Sequence, residues 1–192
     1  MFTILIPCLK KGFLKKQLEQ LANQDFKEFS VIVMDTNYKH NKDEDWITKK
    51  YPFSLTHLPI TQHIKQAKRY DFSIKNNLAQ LSLTNHFLFL SDTHMPKSAF
   101  TSHVYKSLIL NSPIYFRVAS DLPEHSETSP IILFNKTVFF TLLNGYDEVT
   151  TYASKVTEQM WVRYLGIFNR RLPKAISHQV IHINHDSINN FG

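Results

Sequence analysis

Three short blocks of this chain are apolar at nearly every position: residues 2–7 (FTILIP), 29–34 (FSVIVM) and 87–90 (FLFL). A strand with one wet face alternates apolar and polar residues, so unbroken runs predict strands covered on both faces, as in a parallel sheet. Between the first two runs the period changes. Leu14, Leu18, Leu21 and Ala22 recur at i, i+4, i+7 and i+8, lining one face of a helix and leaving Lys15, Lys16 and Glu19 mostly outside it. Residues 61–82 are also helical in pattern, with Ile64, Ala67, Ile74, Leu78 and Leu81 apolar; the phase slips over 70–73 and predicts a break there.

Further strands are expected over residues 54–58, 86–91, 114–119, 130–134 and 177–183, and helices over 43–51, 98–110, 136–143 and 158–165. Residues 36–42, 121–130 and 150–155 are polar loops. Asn144-Gly145 is a helix stop, and Pro96 should end any ladder begun by the run at 86–91. Strands alternate with helices through the first half, which argues an α/β fold with a mainly parallel sheet; the second half is more mixed.

Composition narrows the partners. At 192 residues, 43% hydrophobic and with 15 Phe, the chain fits one globular domain, and four Gly argue against repeats or low complexity. A net charge of +6 suggests an anionic partner: nucleotide phosphates, anionic lipid or nucleic acid. No dense Lys/Arg block is interleaved with aromatics, which makes nucleic acid the weakest of the three. The single cysteine, Cys8, excludes an internal disulfide and suits a reducing compartment. The N-terminal apolar run has no basic leader and is too short for a signal or a span, so a cytoplasmic setting is expected, with peripheral contact to a membrane surface through the basic charge.

Candidate chemistry begins where the apolar runs stop. The run at 86–91 ends on Ser91-Asp92-Thr93-His94, and the run at 29–34 ends on Asp35. The carboxyl ends of strands are where open α/β sheets bind ligands. An Asp there accepts hydrogen bonds from a nucleobase or ribose, or simply caps its loop. Three histidines, His178, His182 and His185, lie in or near the last strand.

In order and spacing these segments resemble glycosyltransferase family 2, nucleotide-sugar-dependent enzymes of the GT-A fold. Residues 2–35 (FTILIPCLKKGFLKKQLEQLANQDFKEFSVIVMD) are similar to that family's first strand, helix and second strand, with Asp35 at its acidic nucleotide-contacting position. Residues 75–96 (KNNLAQLSLTNHFLFLSDTHMP) resemble its helix, central strand and metal motif, Lys75-Asn76 standing for an Arg-Asn pair. NGYDE at 144–148 is similar to its Gly-aromatic-Asp-Glu segment, and TEQMWVRYLG at 157–166 to the helix that supplies its catalytic base. Two motifs depart from the family. Its usual Asp-x-Asp becomes either an Asp92-x-His94 pair or, if Pro96 is aligned, places Ser91 at the first Asp. Gln159 occupies the second acidic position after Glu158.

The resemblance implies a single domain with a nucleotide-binding half (1–96) and an acceptor-side half (97–192), and an inverting transfer from a nucleotide-sugar donor to a glycan or lipid-linked acceptor. Surface polysaccharide assembly is the family's commonest setting. A divalent ion, Mn²⁺ or Mg²⁺, would be held by Asp92 and His94, the imidazole leaning the choice to Mn²⁺. His182 and His185 are three apart and face opposite sides of a regular strand, so at most one can join, and His182 is the choice. Asp35, Lys75 and Asp92 are expected to bind the nucleotide, Asp147 and Glu148 the acceptor, and Glu158 to act as base. The alternative is a nucleotide-sugar-binding or assembly module of the same fold with impaired catalysis, motivated by Ser91 and Gln159.

Overall fold

The computed structural model describes residues 1–9, 13–67, 70–110, 114–120, 131–147, 159–160, 162–164, 166–167 and 174–182. Among these residues eight strands form: β1 (Phe2–Cys8), β2 (Phe29–Asp35), β3 (Ser54–Pro59), β4 (His86–Phe89), β5 (His94–Pro96), β6 (Ile114–Ser120), β7 (Ile131–Asn135) and β8 (Lys174–His182). They form one mixed sheet in the order β3-β2-β1-β4-β7-β6-β8-β5. The β3-β2-β1-β4 half is parallel throughout, and β6 pairs with β8 in parallel. The β4-β7, β7-β6 and β5-β8 pairings are antiparallel. Among the described residues the helices are α1 (Leu14–Ala22), α2 (Tyr38–Asn41), α3 (Asp45–Thr48), α4 (Gln62–Gln66), α5 (Tyr70–Leu81) and α6 (Phe100–Ile109), with a π-helical turn at Val138–Leu142. Residues 159–160, 162–164 and 166–167 are helical as well, within the helix expected over 158–165 and just past it.

Unbroken apolar runs became central strands because both faces of the sheet are covered. Every residue of β1 is buried. Ile4, Ile6, Val31, Val33 and Leu88 pack on one side against Leu14, Leu18 and Leu21 of α1 and Phe100 and Val104 of α6. Leu5, Ile32, Met34, Phe87 and Phe89 pack on the other against Phe72, Ile74 and Leu78 of α5 and Phe139. Successive residues thus serve opposite layers, as the period of two requires.

Several expectations shift. The break in the long helical stretch falls at Ala67, which is extended (ψ 139°), ahead of the predicted 70–73. The helix at 43–51 contracts to α3, and the loop at 36–42 contains α2. The strand expected over 86–91 stops at Phe89, and a separate strand follows: Pro96 ends not the ladder begun at 86 but that of β5, as its last residue, paired with Val180. A proline is tolerated there because β5 lies at the sheet edge. The helix at 136–143 widens into a π turn, Leu143 N donating to Val138 O (3.0 Å), and is closed by Gly145 N to Phe139 O (2.9 Å). Strand β8 begins at Lys174, before the expected 177. Among the described residues no helix is long and apolar enough to cross a membrane.

Candidate functional site

The carboxyl ends of β2, β1 and β4 lie side by side, and polar groups gather there. Past Leu90 the chain turns, with His94 N donating to Ser91 O (2.9 Å). Asp92 sits inside this turn, 5% exposed; its Oδ2 accepts from Leu9 N (2.8 Å) at the end of β1, and its Oδ1 from Ser91 Oγ (3.2 Å). From α1, the buried Gln17 donates from Nε2 to both Ser91 O and His94 O, each at 2.7 Å. His94 then opens β5, where its register partner is His182 of β8.

Asp35 stands one strand over, in register with Cys8. Its carboxylate is engaged on the protein itself. Oδ1 accepts from Asn37 N (2.7 Å), and Oδ2 from Asn41 Nδ2 (2.8 Å) and His57 Nε2 (3.0 Å). Burial opposes the charge, but the hydrogen bonds from His57, the Asn37 amide and Asn41, with the His57 charge, outweigh it and hold the carboxyl below its ordinary value. The His57 ring also lies against Tyr38 (4.8 Å between centroids), so this carboxylate organises the β2–α2 loop. Thr36 joins that loop to β1, donating from its backbone N to Cys8 O (3.1 Å).

A second constellation joins α5 to the NGYD turn. Asn76 Nδ2 donates to Tyr146 O (2.9 Å), and Tyr146 N donates back to Asn76 Oδ1 (2.8 Å), a reciprocal clamp between segments far apart in sequence. Asn144 and Gly145 adopt positive φ (59° and 63°) to make the turn. Lys75 Nζ lies over the rings of Tyr146 (5.1 Å) and Phe72 (5.3 Å), a cation–π seat on two stacked aromatics. Tyr146 in turn packs against Phe89 (5.7 Å), the last residue of β4, which sets this turn beside the strand that leads to Asp92. Burial pushes the Tyr146 phenol far above its ordinary value.

The fold therefore brings Asp35, Asp92, His94 and the backbone of His182 to the ends of the sheet strands, and sets Lys75 on α5 and Asp147 on the turn clamped to it, beside β4. Glu148, Glu158 and His185 lie outside the described residues; Gln159 is exposed. Among the described residues no three His, Cys, Asp or Glu side chains cluster as a metal site, and the side chain of His182 is not among those described. Sequence reasoning missed Gln17, Asn41 and His57. Gln17 carried a signal, since it lies at i+3 from Leu14 on the apolar face of α1. Asn41 and His57 carried none, because their roles arise only when β3 and α2 close on Asp35.

No known family's sequence profile matches the chain, and no curated protein matches it by sequence. Solved structures do. The crystal structure of S. aureus TarS superposes with a TM-score of 0.70 at 15% identity, over 95% of this chain and 36% of that one. S. aureus TarS 1-349 in complex with UDP matches at 0.67 and 13% identity, over 92% of this chain and 60% of that one. The complex with UDP-GlcNAc matches at 0.68 and 13%, over 97% and 60%. The fold is that of GT-A glycosyltransferases. The expected GT-A architecture is thereby borne out, although the chain spans only 36% to 60% of the length of these neighbours. Identity this low carries the fold and nothing finer.

Proposed function

We propose that the chain is a nucleotide-sugar-dependent glycosyltransferase of the family 2 type, transferring a hexose with inversion to a glycan or lipid-linked acceptor. The observation that carries this reading is the Asp92–His94 turn at the carboxyl end of β4, on a GT-A sheet whose neighbours were solved with UDP and UDP-GlcNAc. The residues present fit a divalent ion. A carboxylate and an imidazole one residue apart form an oxygen–nitrogen donor pair, and His182 is the backbone register partner of His94 across the β5–β8 pair. Such an ion, Mn²⁺ before Mg²⁺, would stabilise the leaving diphosphate as a Lewis acid.

The chain's own residues do the rest. Asp92 is held by Leu9 N and Ser91 Oγ, so its carboxylate is fixed in place to hold a divalent ion that would in turn meet the diphosphate. Asp35 shapes the nucleoside side through the β2–α2 loop, in the acidic position that the family uses on the nucleotide. Lys75, on α5, serves the diphosphate, and Asp147, on the clamped turn, serves the acceptor together with Glu148. Glu158 takes the acceptor hydroxyl proton as that oxygen attacks the anomeric carbon. The net charge of +6 suits an anionic membrane face on the cytoplasmic side, where lipid-linked acceptors of surface polysaccharides are elongated. Gln159, where the family carries a second acidic residue, favours one other reading: a nucleotide-sugar-binding module without transfer.

A thermal-shift panel of UDP, GDP and CDP sugars with and without Mn²⁺ tests the proposal. Saturation at about a hundredfold above Kd stabilises by about 2.7 kcal/mol, or roughly 5 to 11 °C for a chain of this size. The metal-dependent part should vanish in Asp92→Ala. No shift with any nucleotide overturns both readings, and a shift without product release from any acceptor selects the binding module.

A further inference from the structure

We infer that Gln17, on α1 and outside the strands that form the site, is a positioning residue that holds the Ser91–His94 turn in the geometry needed to bind a divalent cation with a nucleoside diphosphate. The inference rests on the reading of Asp92 and His94 given above. Gln17 is fully buried on a helix face otherwise made of Leu14, Leu18 and Leu21. A primary amide in such a place is costly unless it is hydrogen-bonded, and an apolar side chain would suit the packing better. Both of its donors are spent on one object. Nε2 donates to Ser91 O and to His94 O, the first and last residues of the turn that carries Asp92. Its Oε1 is buried with no partner among the described residues, so the amide is satisfied only on the side that faces the turn.

These two bonds act on the direction of the chain. Ser91 O already accepts His94 N, and Gln17 adds a second donor to that carbonyl while tethering the carbonyl of His94, the residue that starts β5. The two ends of the turn are thereby fixed to α1, and Asp92 is fixed to β1 through Leu9 N. Ligand side chains bind a cation only when the backbone that carries them is held to within a few tenths of an ångström, and outer groups that orient them change metal affinity by about 10- to 100-fold when removed. Gln17 occupies that role here through backbone carbonyls.

The test uses the full chain. Gln17→Met keeps the length and volume and removes both donors, Gln17→Glu opposes a carboxylate to the two carbonyls, and Leu21→Ala truncates the same helix face without touching the turn. For each variant, calorimetric titration at a temperature where it is folded gives the Mn²⁺ affinity in the presence of whichever of UDP, GDP or CDP the wild type binds best. Gln17→Met should weaken Mn²⁺ binding by about 10- to 100-fold, with nucleotide binding recovered at saturating Mn²⁺, and Gln17→Glu should weaken it further. Leu21→Ala should lower Tm and leave the affinity unchanged. Wild-type affinity in Gln17→Met, or an equal loss in Leu21→Ala, overturns the inference and leaves the site reading standing. If Gln17→Met does not fold, wild-type affinity in Gln17→Glu overturns it in the same way. A wild type without metal-dependent nucleotide binding overturns the site reading and the role of Gln17 together.

Discussion

Gly145→Ala tests the clamp that sets the NGYD turn against α5. Gly145 adopts φ +63°, and a methyl built there meets Asn76 Oδ1 at 2.9 Å, closer than real Cβ contacts come. Two costs follow. A left-handed backbone costs an L-residue about 1 to 2 kcal/mol. The Asn76 amide must also withdraw, weakening its bonds to Tyr146 O (2.9 Å) and from Tyr146 N (2.8 Å), each worth about 1 kcal/mol. The sum is about 2 to 4 kcal/mol, or a fall in Tm of roughly 4 to 16 °C for a domain of this length. Asn76→Ala alone loses the two bonds and should cost about 2 kcal/mol. In the double variant the clash has no partner and the bonds are lost only once. It should therefore be less destabilised than the sum of the singles by about 1 to 2 kcal/mol. Urea unfolding of the four proteins at one temperature reads this coupling directly. Additivity within about 0.5 kcal/mol would refute the account, because the methyl and the amide would then not share a contact.

Two further outcomes follow from the geometry of the fold and one from the proposed role of Glu158. Asp35→Asn should be destabilised at neutral pH and lose the acid sensitivity of the wild type: a carboxyl held below its ordinary value contributes stability fully above about pH 4, and that contribution fades as the pH falls through the lowered value, so the two unfolding curves should converge in acid. Convergence on raising the pH instead would show the sign to be wrong. Phe139→Ala should cost about 3 to 5 kcal/mol, because the fully buried ring touches Phe87, Phe89, Phe134 and Tyr146, and chemical denaturation should show the loss without a change in slope. Glu158→Gln should lower kcat by about 10²- to 10⁴-fold while leaving the nucleotide-induced shift in Tm intact; an unchanged kcat removes Glu158 from the reaction.

The site is built in two layers, and the layers have different origins. Asp92, His94 and Lys75 stand at positions that a strand end, a motif spacing and a family resemblance could mark. Their supports, Gln17 beneath the turn, Leu9 N on Asp92 and Asn76 on Tyr146, are bonds between segments 70 to 83 residues apart. Asp35 shows how the second layer alters the first. Read from the chain alone it either contacts a nucleotide or caps its loop; in the fold it is 1% exposed and accepts hydrogen bonds from Asn37 and Asn41 of that loop and from the remote His57, which the chain alone did not mark.

By itself the sequence determined what each segment would do locally. Unbroken apolar runs at 2–7, 29–34 and 87–90 could only be stable with both faces covered, and the spacing of Leu14, Leu18 and Leu21 could only pack as a helix face, so the parallel half of the sheet and α1 were legible in advance. Tertiary structure alone decided where the polar residues found partners. The run at 86–91 reads as one strand, yet the chain leaves the sheet after Phe89 and re-enters at its far edge as β5, which is how the backbone of His94 comes to pair with that of His182. Hydrophobic period reports which way a residue faces within its own element, because burial is set by the nearest layer. Strand register and hydrogen-bond pairing depend on which remote segment closes against it, and that is settled only when the whole sheet forms.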